Sequence, residues 1–68
     1  MTREKVIEKV KVILRLAQER DHEAAHSAED KLHQEVLTAI ANGRCDDPRS
    51  LAEAALKTQG IDFIRWCV

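Results

Sequence analysis

Apolar residues recur at helical spacing over the first twenty positions of the chain. Val6, Val10, Ile13 and Ala17 follow the i, i+4, i+7, i+11 spacing of a single helix face. More apolar residues lie beside this stripe or outside it: Ile7, Leu14, Val12 and Leu16. The pattern predicts a helix from about residue 2 to 19 with more than one apolar side. Such a helix needs two packing neighbours, of which one could be another chain.

A second apolar stripe follows after a polar interval. Asp21 is a suitable N-cap, and Glu23 is favourably placed in the first turn of the predicted helix. The stripe consists of Ala25, Ala28, Leu32, Val36 and Ala39, with Leu37 and Ile40 beside it. Asn42-Gly43 is predicted to end the helix, because both residues tolerate the left-handed conformation of a helix C-cap.

The link between these two segments allows two interpretations. No glycine or proline separates them, so a single continuous helix over residues 3–41 is one alternative. A helical hairpin is favoured because the four polar residues at 20–23 interrupt the apolar pattern. The stripe also shifts by about 45° around the helix axis across this interval.

The third helix carries the clearest end signals. Asp47 is expected to cap it, Pro48 suits its first position, and Gly60 is expected to stop it. Its apolar face contains Leu51, Ala55 and Thr58, flanked by Ala52 and Ala54. We therefore predict an all-α fold and a single domain, 1–68, of two to three helices: a helical hairpin plus a third short helix, followed by an apolar tail.

The tail, residues 61–68, is the most apolar segment of the chain. Six of its eight residues are apolar, and it contains the two aromatic residues, Phe63 and Trp66. It could form a last helical turn capped by Asp62 or a short extended strand, and eight residues are too few for periodicity to decide. We expect it to fold onto the helices or onto a partner.

The length of 68 residues limits the stability that the chain can reach alone. A core of this size supplies about 3–5 kcal/mol, and small proteins commonly add disulfides, a metal or oligomerisation. The two cysteines, Cys45 and Cys67, are expected to be free thiols in a reducing compartment. No apolar run approaches the ~20 residues of a membrane span, and no signal peptide is recognisable, so we expect a cytoplasmic location without membrane contact.

One short motif suggests chemistry. The run His22-Glu23-Ala24-Ala25-His26 is a literal HExxH, in which two histidines on one helix face can share a zinc ion. A catalytic zinc needs a third protein ligand. The pattern that supplies it would place glycine at 29 and histidine at 32, but the chain has Glu29 and Leu32. We therefore predict no enzymatic activity and no cofactor, with His22 and His26 as the candidate ligands if a metal does bind.

The charge distribution bears on the class of partner. Residues 1–20 carry a net charge of +3, residues 21–43 carry −4, and the remainder is neutral. The basic first segment and the acidic second segment favour pairing within one chain or between two. The sequence pI of about 6.3 lacks the strongly basic signature of DNA-binding domains. Nucleic acid is therefore not expected as a partner, and a small regulator that contacts nucleic acid is the alternative function.

These observations favour a non-enzymatic protein-interaction module. The marginal core size and the two-sided first helix are both accounted for by a homodimer, and a further protein partner is expected. The predicted interaction surface consists of Val6, Val10, Ile13, Leu32, Val36, Phe63 and Trp66. A zinc-stabilised helical module is the second alternative.

The whole chain has a family resemblance. Its opening TREKVIEKVKVILRLAQERD, the segment HEAAHSAEDKLHQEVLTAIANG and the ending GIDFIRWCV resemble small early-region accessory proteins of lambda-like phages and enterobacterial prophages. The resemblance rests on size and style over most of the chain, without a diagnostic motif. It implies a non-enzymatic protein that adjusts host functions or lytic development through protein contacts, and it transfers no site residues.

Overall fold

The computed structural model of the chain describes residues 1–65. Three helices follow one another: α1 (Arg3–Gln18), α2 (His22–Ala41) and α3 (Pro48–Leu56), the last continued by a 3₁₀ turn, Lys57–Gly60. The all-α prediction is confirmed. Within the described residues, no helix is both long enough and apolar enough to cross a membrane.

The first two helices form a hairpin and not a single rod. The α1 helix ends in a Schellman motif, in which the Asp21 amide donates to the Leu16 carbonyl and the Arg20 amide donates to the Ala17 carbonyl, each at 3.0 Å. Arg20 takes the left-handed conformation there, with φ of 59°. The Asp21 carboxylate then accepts from the Ala24 amide at 3.2 Å and caps α2, as predicted.

The end of α2 and the start of α3 follow the sequence signals. Gly43, with φ of 67°, lies in the position that closes a second Schellman motif at the end of α2. Asp47 accepts from the Ser50 amide at 3.4 Å, and Pro48 is the first residue of α3. The α-helical part of α3 stops at Leu56, and only the 3₁₀ turn reaches Gly60, so the predicted helix is shorter than expected.

A single core joins the three helices, with α1 packed against both α2 and α3. The buried apolar residues are Val6, Ile13, Ala17, Ala25, Leu32, Val36, Leu51, Ala54, Ala55 and Phe63. The N-terminus is tied to this core, because Arg3 donates to the Ser50 carbonyl and hydroxyl oxygens, each at 3.0 Å. The two-sided apolar pattern of α1 therefore has its two neighbours within one chain.

The segment Ile61–Arg65 crosses the helices without forming a helix or a strand. Asp62 does not cap a helical turn, and Phe63 is buried in the core at 7% exposure. The expectation that the tail folds onto the helices is thus met over these residues. The rest of the predicted tail, including Trp66 and Cys67, lies outside the described residues.

Candidate functional site

Most of the predicted interaction surface lies inside the molecule. Val6, Ile13, Leu32 and Val36 are at most 3% exposed, and Phe63 is also buried. Val10 is half-buried against the same core, and Trp66 lies outside the described residues. The five buried side chains stabilise the single chain and are not available to a partner in this fold. The periodicity identified the correct apolar faces, but these faces are covered by the chain's own helices.

The two histidines of the HExxH motif each interact with a different group. His22 Nδ1 accepts a hydrogen bond from the Ile64 amide at 3.2 Å. His26 Nε2 lies 3.4 Å from a carboxylate oxygen of Asp30, one turn further along α2. Among residues 1–65, no three histidine, cysteine, aspartate or glutamate side chains come close enough to hold a metal ion. Through its hydrogen bond with the Ile64 amide, His22 helps to hold the segment after α3 against α2.

A partly buried ion pair, which the sequence did not predict, holds the same segment against α2. The Glu29 side chain is only 6% exposed, and its two carboxylate oxygens accept from the Arg65 guanidinium at 3.0 and 3.2 Å. Arg65 also donates to the carbonyls of Thr58 at 2.7 Å and Ile61 at 3.0 Å. Its guanidinium carbon lies 4.0 Å from the centre of the Phe63 ring, which adds a cation–π contact.

Two more polar side chains complete this cluster beneath Arg65. The fully buried Thr58 hydroxyl donates to the Ala55 carbonyl at 3.1 Å. It also lies 3.1 Å from His33 Nε2. Since the hydroxyl proton is used by Ala55, His33 has to donate its Nε2–H to the Thr58 oxygen. No buried side-chain nitrogen or oxygen among the described residues lacks a hydrogen-bond partner.

The environment of Glu29 keeps its carboxylate charged. Burial alone raises the pKa of the Glu29 carboxyl, but the hydrogen bonds from Arg65 and the Arg65 charge outweigh that effect. The net result is a pKa below the ordinary 4.5. A carboxylate that is held charged by a bidentate guanidinium is a poor general base. The role of the cluster is therefore structural, and it holds the segment after α3 against α2. No local signal could have revealed it, because its two charged partners lie 36 positions apart.

The two most exposed large apolar residues, Leu37 and Leu56, lie elsewhere, in a groove between α2 and α3. The other exposed ones, outside this groove, are Val12, Leu14 and Ile64. This groove, of about 260 Å³, is lined by His33, Val36, Leu37, Ile40, Ala52, Ala55, Leu56 and Gln59. Leu37 and Leu56 are its most exposed apolar residues, at 66% and 54%. In the sequence, Leu37 lies beside the apolar stripe of α2, and Leu56 belongs to none of the predicted apolar faces. We call this surface the α2–α3 groove.

The α2–α3 groove has little charge. Its lining side chains are apolar, apart from His33 and Gln59. Helical spacing puts Arg49 and Glu53 beside the lining residues of α3, and these two side chains pair with one another at 3.3 Å. A larger depression near the N-terminus is bordered mainly by polar and charged residues, including Lys31, Glu35 and Arg44. The groove is therefore the better candidate for contact with an apolar partner.

Comparison with known proteins adds no further constraint. No protein-family profile, curated protein or solved structure matches the chain.

Proposed function

We propose that the chain is a non-enzymatic protein-interaction module that binds its partner through the α2–α3 groove. The observation that carries this proposal is the presence of two largely exposed leucines, Leu37 and Leu56, on either side of an apolar groove. Apolar residues that cluster at one surface of a small protein mark interaction sites, whereas single scattered ones need no explanation.

The composition of the groove supports a protein partner. Interface centres are depleted in charged residues and are surrounded by a polar rim. The groove has an apolar floor, and Gln59 is an exposed polar residue in its lining. A nucleic-acid backbone would instead need a row of basic side chains. Contact with nucleic acid and stabilisation by zinc stay predictions from the sequence.

The same proposal includes the cellular setting. We place the activity in the cytoplasm and assign the chain to the class of small phage accessory proteins that its sequence resembles. That class acts through protein contacts and without catalysis, which agrees with a groove as the working surface.

Site-specific photo-crosslinking in cells tests the groove directly. A photoreactive amino acid at position 37 is expected to give a discrete protein adduct. The same amino acid at position 14 on α1, where Leu14 is also exposed, serves as the matched control. An adduct from position 37 and none from position 14 would support the proposal. Equal labelling from both positions, or no adduct from position 37, would overturn it.

A further inference from the structure

The α2–α3 groove combines a projection and a recess on one face. Leu37 projects from α2 and Leu56 projects from α3, while Ala52 leaves room between them. A two-fold dimer needs such a self-complementary face, because the same patch meets itself in the two chains. In that arrangement each Leu37 can enter the recess over Ala52 in the other copy.

The charges around the groove permit two copies to meet face to face. A two-fold axis places each charge near its own counterpart, and like charges that meet at an interface cost free energy. Beside the groove, Arg49 and Glu53 neutralise one another. On α1, the exposed apolar residues are Val12 and Leu14. Helical spacing instead places Arg15 beside Val12 and Lys11 beside Leu14. A two-fold contact through that face of α1 would bring basic side chains together.

We infer that the occupant of the α2–α3 groove is a second copy of this chain, docked about a two-fold axis next to Leu37. The inference rests on the proposed function and names its partner. It assigns the dimer contact to side chains that leave the monomer core intact, since the core residues of α1 and α2 are already buried within one chain.

The contact area that a two-fold dimer needs can be compared with the surface of the chain. The smallest specific interfaces bury about 600 Å² per partner. That area is about an eighth of the 4858 Å² surface of the chain. The lining residues of α2, from His33 to Ile40, cover about two turns of that helix. Interfaces at this lower end of the size range are typical of weak, transient complexes, so the dimer is expected to form only at high concentration.

Sedimentation velocity over a concentration series tests the inference. Between about 1 µM and about 1 mM, the mass is expected to rise from 7.7 kDa toward twice that value. Leu37→Gln is expected to weaken dimerisation at least about tenfold, because the change occurs twice in a two-fold dimer. Leu14→Gln, a matched change at an exposed helical leucine, is expected to leave the dissociation constant unchanged. Circular dichroism checks that both variants keep their helices.

Each outcome bears on the inference. A mass of one chain throughout the series would overturn it, as would equal weakening by the two substitutions. Photo-crosslinking then separates it from the proposed function. A monomer whose position 37 still crosslinks to a different protein would refute the second copy while keeping the groove as a binding surface. A dimer that is insensitive to Leu37→Gln, with no adduct from position 37, would refute both.

Discussion

Removal of Arg65 should show how strongly the segment after α3 is held to the helices. Arg65→Met keeps most of the length of the side chain and removes its charge and donors. The change leaves the Glu29 carboxylate buried without its ion-pair partner. It also removes the donor to the Thr58 and Ile61 carbonyls. The expected result is a large loss of stability from a residue that lies outside the three helices.

The expected loss in the free energy of unfolding depends on how far each partner of the ion pair is buried. Breaking a fully buried ion pair costs about 3–5 kcal/mol, and exposed pairs contribute under ~1 kcal/mol. Glu29 is 6% exposed and Arg65 is 36% exposed, so we expect a cost of about 2–3 kcal/mol for Arg65→Met. The complementary change, Glu29→Met, should cost less, about 1 kcal/mol, because the half-buried guanidinium can turn toward water.

The pH dependence should differ between the wild type and Arg65→Met. In the wild type the folded pKa of Glu29 is lowered, so its stabilising effect is present above pH 4.5 and is lost as the pH falls below that value. In Arg65→Met the remaining burial should raise the pKa of Glu29 instead. That variant should therefore gain stability as the pH falls from about 7 to about 5, where the wild type changes little.

Urea denaturation followed by circular dichroism at both pH values measures these differences. The double variant, with both residues changed to methionine, should be more stable than the sum of the two single changes predicts, because no buried charge is left unpaired. The reasoning would be refuted if Arg65→Met cost no more than Glu29→Met, or if the two changes were additive.

Three further predictions concern the backbone and its caps. Gly43→Ala should lower the free energy of unfolding by about 1 kcal/mol because φ is positive there, whereas Gly60→Ala should be neutral or slightly stabilising, since no atom lies within 4 Å of an added Cβ. Thermal denaturation compares the two variants, and equal effects would contradict the positive φ at Gly43. Asp47→Ala should lower the free energy of unfolding by about 1 kcal/mol through loss of the α3 cap, and an unchanged denaturation midpoint would argue against that cap. His22→Leu removes the acceptor for the Ile64 amide, so the exchange protection factor of that amide, measured by NMR, should fall; an unchanged factor would contradict this hydrogen bond.

The sequence predicted the helical part of the fold well because its signals are local. A cap such as Asp47 acts on an amide three residues away, and Gly43 acts through its own backbone conformation. The break at Arg20 was predicted from a polar interval, although arginine itself has no special preference for the left-handed conformation. These elements depend on a few neighbouring residues, which periodicity and capping rules describe.

The candidate sites depend on contacts between residues that are far apart in the sequence, and local patterns do not predict such contacts. Periodicity shows that Leu32 belongs to an apolar face, but it cannot show whether another chain or the chain's own α1 covers that face. The groove became visible only once α2 and α3 were placed side by side, which brings Leu37 near Leu56. Glu29 and Arg65 likewise read as ordinary surface charges until the fold brings them together.

The conformation of Arg20 has a consequence for the topology of the molecule. A left-handed backbone at a residue with a Cβ costs about 1–2 kcal/mol, and here it occurs at the turn that separates α1 from α2. If that turn straightened, residues 3–41 could continue as one rod of about 58 Å. The hairpin is therefore kept closed by the packing of α1 against the other helices, and not by a glycine or proline at the turn. A substitution that makes the left-handed conformation at position 20 harder to adopt should favour an exchange of α1 between two chains, so that each hairpin is rebuilt from two molecules. Arg20→Gly would remove the strain and protect the closed hairpin against this exchange.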